Sequence, residues 1–538
     1  MRRPSRSRER IAATSHHSHP LQTDRLYSWH TAPGRSHQTI GVAGVQETDD
    51  PQENRMLLES LRVTNYKCVL DSGLIQVGSR LCLLGRNDSG KTAILEAIHR
   101  LNPALGQEGR FDPATDYPRA WAADYREEVD AGLRAHDLVV EARFRLDEQE
   151  IRGVEERWGD GVLTEPFLTL SKGYDNVLYV DLPLDEAIAV QALLRNLRLG
   201  DEWRARLGHC TLLDEALEGI GRAPTECPDA ERHLECLRAL SRKGLAVQVY
   251  DECLESRVPQ FLYFDEYGQL PGEANIDRLR ERVAAETATI SDRVLLGLLD
   301  LAQLDLKQLL DADRTEWLNN RLDSAANRLT RRLLKYWTQN RHLRLRFDVR
   351  PARPADPEGM REGTNLWVRI HDARRQTSTG LSARSRGFIW FVSLISLLRQ
   401  LEEHGQPAIL LLDEPGQFLH PEGQHDLLTF IERELEPRFQ VFYTAHSPFM
   451  VDMNRLDAIR LVEDKGLAEE DEERALNAGA QVCGIGGAVG QENLLLLQSA
   501  LGRDIVQALG EAPEERREAL SPLLPEAVRR RVNQLVNS

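Results

Sequence analysis

The sequence predicts an α/β fold whose two halves are separated by a helical insertion. Three observations lead there. A glycine-rich loop near Gly85 joins a strand-like to a helix-like segment, strand–helix alternation returns in the last third, and the middle holds mostly Leu, Arg, Glu and Ala at helical spacing. With 538 residues, 41% of them hydrophobic, the chain can build one large or two medium cores.

Residues 1–55 are rich in Arg, Ser and His and lack apolar periodicity, so they read as a disordered leader; they also lack the apolar run of a secretory signal. From Leu57, LESLRVTNY reads as a strand, and SRLCLLG is a second strand that runs into the glycine loop. The following helix, Thr92 to Leu101, carries Ile94, Leu95, Ile98 and Leu101 at near-helical spacing and stops before Pro103. LVVEARFRL alternates as a strand and completes a first lobe, 56–150.

Residues 151–345 form the expected helical insertion, broken by VPQFLYFDEYGQLPG, whose aromatics and Pro/Gly punctuation suggest a strand or loop against the core. Near its end Arg328, Arg331, Arg332, Lys335, Arg341, Arg344 and Arg346 cluster, either to contact phosphate backbone or as a solvated helix face. Sustained heptads are absent, which argues against long coiled-coil arms. A second lobe, 346–509, resumes the α/β rhythm with GLSARSRGFIWF and its helix, the strand PAILLL, a helix from Pro421 to Leu435 and the strand QVFYT. Residues 510–538 are a short C-terminal tail.

The net charge of −17 (68 − 85) argues against a uniformly basic surface but leaves room for a local basic groove. Seven cysteines without a CxxC pair or zinc-like spacing read as reduced thiols of a cytoplasmic protein. The longest apolar run, Phe388 to Leu398, is shorter than the ~20 helical residues that span a bilayer, so no membrane segment is expected and the run reads as a buried helix.

Three motifs carry chemistry. Gly85-Arg86-Asn87-Asp88-Ser89-Gly90-Lys91-Thr92 fits GxxxxGK[ST] between a strand and a helix. There, backbone amides of Gly85, Asn87, Ser89 and Gly90 would wrap phosphates, Lys91 would reach the β/γ oxygens of ATP, and Thr92 would ligate Mg2+. Ile409 to Leu412 read as a buried parallel strand ending in Asp413 and Glu414, the first suited to bind Mg2+ and the second to orient or deprotonate the attacking water. The next strand delivers His446 to the same sheet edge, where it would sense the γ-phosphate.

LRVTNYK, GRNDSGKT, LLLDEPG and YTAHSP together resemble the RecF/SMC branch of ABC ATPases, and FDPATDYPR, SARSRGFIWF, GQFLHPEGQHDLL and SPFMVDMNRLDAIRLVEDK resemble its OLD (overcoming lysogenization defect) family, over about Met56 to Leu509. The resemblance implies an ABC-type P-loop ATPase head in which Ser385 and Gly387 act as the signature serine and second glycine, completing the site of a second subunit. Arg384 and Arg386 occupy slots that are apolar or small in the commoner LSGG form. Gln269 is one of several candidates for the Q-loop glutamine. OLD nucleases continue into a TOPRIM domain with a glutamate and a DxD motif; the 28 residues after Gly510 hold no DxD, so the chain resembles the ATPase half alone.

The reading that results is an ATP-driven switch, a homodimer or higher homo-oligomer, acting on DNA or gating a nuclease partner, plausible in phage defence. The alternatives are a metal-dependent DNA endonuclease with an unrecognised active site, a RecF-like DNA repair ATPase, and a transport ATPase.

Overall fold

The computed structural model describes residues 9–11, 55–196, 201–221, 230–266, 268–309, 315–337, 340–405, 407–452, 455–465 and 479–484. The tail at 510–538 and most of the leader at 1–55 lie outside the described residues.

Three sheets organise these residues. The central one has six strands: β5 (Arg80–Leu84), β9 (Gln260–Phe264), β14 (Ala408–Leu412), β15 (Gln440–Ala445), β16 (Ile459–Asp464) and β17 (Ala480–Gly484). Their order is β17-β16-β5-β15-β14-β9, parallel throughout except for β17. Every residue of β5, β14 and β15 is buried, as strands covered on both faces require. Successive side chains point to opposite faces, so Cys82, Leu84, Leu410 and Leu412 join one core, while Leu81, Leu83, Ile409 and Leu411 join another.

The second core lies beneath an antiparallel sheet of β1 (Glu9–Ile11), β2 (Leu57–Tyr66), β3 (Val69–Asp71), β4 (Ile75–Gln76), β6 (Leu138–Arg145), β7 (Phe167–Gly173) and β8 (Leu178–Asp181). The helix Lys91–His99 fills that core with Ile94, Leu95 and Ile98. The first core is closed by the helices Ile290–Leu301, Thr315–Leu334 and Arg386–His404 and by a four-stranded antiparallel sheet. That sheet comprises β10 (Glu273–Asn275), β11 (Leu343–Pro351), β12 (Thr364–Asp372) and β13 (Thr377–Gly380). Its inward residues Leu343, Leu345, Phe347, Leu366, Val368 and Ile370 alternate with outward polar ones.

The expected helical insertion is less uniform than its composition suggests. β7 and β8 form a hairpin inside 151–345 because Asp175 and Asn176 turn the chain, Asn176 at φ 57, and the hairpin extends the antiparallel sheet. The break at VPQFLYF becomes β9, an edge strand of the central sheet beside β14. The leader also differs from the expectation of disorder in one place: Glu9–Ile11 pair with β8, whose outer edge offers open backbone donors and acceptors.

The arginine-rich stretch is divided rather than clustered. Arg328 donates to the carbonyl of Ala302 at 2.7 Å and Lys335 pairs with Glu434 at 3.1 Å. Arg344 and Arg346 lie on the sheet face pointing away from the helix Thr315–Leu334, since Leu345 between them is buried in the core shared with Leu329 and Leu333 of that helix.

Candidate nucleotide site

β5 ends at Leu84, and the chain turns through residues 85–90 into the helix Lys91–His99. Gly90 caps that helix at φ 97, and a Cβ there would lie 2.7 Å from Ala480 Cβ and 3.2 Å from Cys68 Sγ, so both backbone and space demand glycine. The turn directs amides toward an anion at the helix N-terminus. Ser89 is buried and its Oγ has no hydrogen-bond partner among the described residues. Lys91, only 4% exposed, donates to the carbonyls of Gly85 at 3.0 Å and Arg86 at 2.6 Å. Burial lowers its pKa below the ordinary lysine value, opposed by the negative charges of Glu414, Asp413 and Asp88.

Because β14 and β15 run parallel to β5, their C-terminal ends emerge at the same edge. Asp413 follows β14 and receives hydroxyls from three directions. Thr92 Oγ1 lies 3.1 and 3.0 Å from its two oxygens, Thr444 Oγ1 donates to Oδ1 at 2.6 Å, and Tyr263 OH donates to Oδ2 at 3.0 Å. Burial and the adjacent carboxylate of Asp413 push the Tyr263 phenol far above its ordinary pKa, which keeps it a donor.

Glu414 sits at φ 43, the left-handed region, where a non-glycine residue costs about 1–3 kcal/mol unless its surroundings hold it. Here its amide donates to Thr444 Oγ1 at 2.7 Å and its carbonyl accepts from Gln417 N at 3.1 Å. Its Oε1 lies 3.4 Å from His446 Nδ1. A cavity of about 880 Å³ opens in front of this edge, lined on one side by residues 87–93 and Glu414 and on the other by Lys67, Cys68, Thr115, Tyr117 and Arg119.

Of the residues singled out in the sequence, Asn87, Ser89, Gly90, Lys91, Thr92 and Glu414 line this cavity. Gly85 is buried at the base of the loop, Asp413 stands behind Thr92, and His446 is beside Glu414. Ser385 and Gly387 do not line it. Ser385 is exposed at the N-terminus of the helix Arg386–His404, whereas Gly387 is buried where a Cβ would collide with Leu419 and the carbonyl of Phe418. Gln269 makes no hydrogen bond to Asp413 or Glu414.

Sequence reasoning missed Tyr263 and Thr444, which position the two acids. Thr444 was visible as the second residue of YTAHSP, and Tyr263 as the fourth residue of QFLYF. Beneath them, Gln107 ties the P-loop helix to β9: its Oε1 meets His99 Nε2 at 3.0 Å and its Nε2 donates to the carbonyl of Tyr263 at 2.9 Å. Burial lowers the pKa of His99 to about 4.

The parallel sheet with its P-loop, acidic pair and histidine at one edge, an antiparallel sheet on one face and a helical layer on the other, defines an ABC-type P-loop ATPase fold. A family described as "AAA domain, putative AbiEii toxin, Type IV TA system" matches residues 299–452, which include Ser385, Asp413, Glu414 and His446.

An uncharacterized protein of Methanocaldococcus jannaschii is 32% identical over 134 residues, 24% of this chain and 32% of that protein. An OLD nuclease of Thermus scotoductus is 33% identical over 72 residues, 13% of each. The matched stretches thus span about a third and about an eighth of these relatives' lengths. Solved SMC heads are also similar. One, bound to the C-winged helix domain of ScpA, has 13% identity and a TM-score of 0.34, covering 79% of this chain and 97% of its own. The head from Thermotoga maritima has 12% identity and a TM-score of 0.29, covering 79% and 98%. Among the described residues no helix is long and apolar enough to cross a membrane.

Proposed function

We propose that this chain is an ATP-hydrolysing switch of an OLD-like system, in which lobes 56–150 and 346–509 form one head that closes on a second copy around ATP and Mg2+. The observation that carries this reading is the convergence of Thr92, Asp413, Glu414 and His446 beside the P-loop, drawn from three strands of one parallel sheet.

The residues fit the ligand. The buried, unpartnered Ser89 hydroxyl and the amides of residues 87–90 suit phosphate oxygens, and Lys91 would exchange the carbonyls of Gly85 and Arg86 for the β/γ phosphates. Thr92 and Asp413 would hold Mg2+, which when bound neutralises charge on the phosphoryl group. Glu414 would orient the attacking water and accept its proton, with His446 fixing the carboxylate and reading the γ-phosphate. Ser385, exposed at a helix N-terminus, would meet the γ-phosphate in a second copy's site.

Closure would transmit ATP binding to DNA or to a nuclease partner, with nuclease activity residing in that partner; a role in phage defence accords with the stretch shared with an OLD nuclease. The test is phosphate release by the full chain with ATP and Mg2+, with chain mass by light scattering in the same samples. Hydrolysis with ATP-dependent association supports the switch. Failure to bind nucleotide at millimolar ATP and Mg2+ defeats it, and cleavage of plasmid DNA that co-elutes with the pure chain defeats the assignment of nuclease activity to a partner.

A further inference from the structure

The four-stranded sheet turns an unpaired basic face to solvent. On its outward side Arg344 and Arg346 of β11 stand beside His371 and Arg369 of β12, in register as Arg344↔His371 and Arg346↔Arg369. Arg374 and Arg375, both exposed, continue the positive charge into the turn between β12 and β13. Arg346 and Arg369 are exposed and directly opposite, and neither forms an ion pair with any described residue.

Like charges facing each other across an antiparallel pair, with Cβ atoms about 4.5–5.5 Å apart, destabilise a sheet. The nearby acids do not relieve them. Asp356 is taken by Arg350 at 2.7 Å, Asp372 is buried and accepts the amides of Arg374 and Arg375, and both Asp348 of β11 and Glu273 of β10 stand opposite Trp367, one step farther along the face, with no ion pair to either arginine. In a chain of net charge −17, such an unneutralised pair is a local positive site open to an anion from outside.

We infer that this face binds the phosphate backbone of duplex DNA without reading its sequence. Arginines two residues apart on a strand stand about 6.8 Å apart, commensurate with phosphates that rise about 3.4 Å each along a DNA strand. Single-strand binding would call for exposed aromatic platforms. The two rings on this face, Trp367 and His371, are only partly exposed; Trp367 has the Arg350 guanidinium 5.1 Å from its ring centre, and His371 Nδ1 is hydrogen-bonded to Ser378 Oγ at 3.1 Å. Recognition therefore rests on charge and geometry. The inference deepens the reading that the switch acts on DNA, and it gives that contact a place. β13 leads directly into Ser385, and Arg384 donates from its guanidinium to the carbonyl of Ile370 on β12 at 3.3 Å, so the face is joined to the segment proposed to complete a second nucleotide site.

The experiment is fluorescence anisotropy of a labelled 30-base-pair duplex with the full chain across a salt series, comparing wild type, Arg346→Ser/Arg369→Ser and the control Arg152→Ser on another surface. The double variant should bind at least tenfold more weakly at 150 mM salt, equally for unrelated sequences, with a log K against log salt slope shallower by about 1.8, or about 0.9 per lost phosphate contact. Its melting temperature should equal or exceed the wild type's, because the like-charge pair is gone. Arg374→Ser/Arg375→Ser, in the turn, gives a second reading should the first variant fold poorly.

If wild type binds duplex and both double variants match its affinity and slope, the face is wrong while the DNA reading stands. Absence of duplex binding by wild type, with ATP hydrolysis intact, removes both the face and DNA as the switch's target. Binding of polyglutamate in preference to duplex, lost in the double variant, would make the partner an acidic protein and overturn the inference.

Discussion

The two parts of the proposed ATP machinery are built differently. At the P-loop edge, Lys91, Thr92, Asp413 and Glu414 are held by hydrogen bonds of 2.6 to 3.1 Å, and a threonine on a third strand bridges the two acids. At the signature-like segment, Ser385 is exposed, caps its helix without a side-chain bond and lines no part of the cavity. One part is complete within a single chain; the other has its chemistry pointed outward. The difference suggests that nucleotide binding depends on the first part alone and hydrolysis on both.

The largest effect that would sharpen this contrast is on turnover. Glu414→Gln should slow steady-state hydrolysis about 10²–10⁴-fold, the usual contribution of a general base, while fluorescent ATP still binds. Lys91→Ala should weaken that binding about 100-fold or more, since a charge-assisted contact to phosphate is removed from a buried site; unchanged binding would mean the lysine is only a strut for the loop.

Acidification tests the support beneath the site. His99 is buried with a folded pKa of about 4 against an ordinary 6.5, so the unfolded chain takes up its proton first as pH falls. Stability that is full above pH 6.5 should fall through the window from 6.5 to 4, by about 2 kcal/mol at pH 5. Denaturant melts of wild type and His99→Gln should show the variant losing less over that window; equal losses would exclude His99 as a source.

A smaller change is expected from Thr444→Val, which leaves Asp413 Oδ1 and the Glu414 amide without their shared partner. The Mg2+ concentration for half-maximal nucleotide binding should rise about tenfold, about 1.4 kcal/mol, within the range for removing one member of a buried hydrogen-bond set. The smallest effect is the one most able to break the comparison. Ser385→Ala should leave nucleotide affinity in dilute protein within twofold while lowering hydrolysis at high protein concentration. A large loss of affinity in dilute protein would place the serine in its own chain's site.

What was legible in the sequence follows the same division. GRNDSGKT and LLLDEP could be read because each chemical residue is fixed by its immediate neighbours: a fully buried strand, then a turn. Tyr263 could not be read as an Asp413 partner, because the contact depends on β9 lying beside β14, 150 residues away. The stretch LRLRFDVRP had the alternation of a strand, but its arginines drew it into a helical reading together with Arg331 and Arg332, and the sheet separates the two sets. The β7–β8 hairpin was hidden in the same way, its turn at Asp175 and Asn176 being short against the helical composition around it.

The central sheet also sets a timetable for the chain's own synthesis. Leu58, at the start of the first lobe, donates its amide to the side chain of Gln440, 382 residues later, and β5 finds its neighbour β15 only at Val441 to Ala445. At translation rates of about 5–20 residues per second, the emerging P-loop strand waits roughly 20–80 s for the strand that covers its edge. Until then β5, apolar on both faces, has β2 and the helix Lys91–His99 for shelter on one side only. A nascent chain arrested before β14 therefore exposes a strand with unpaired backbone edges and the apolar side chains of Leu81 to Leu84, and this is the interval in which the protein most depends on chaperones.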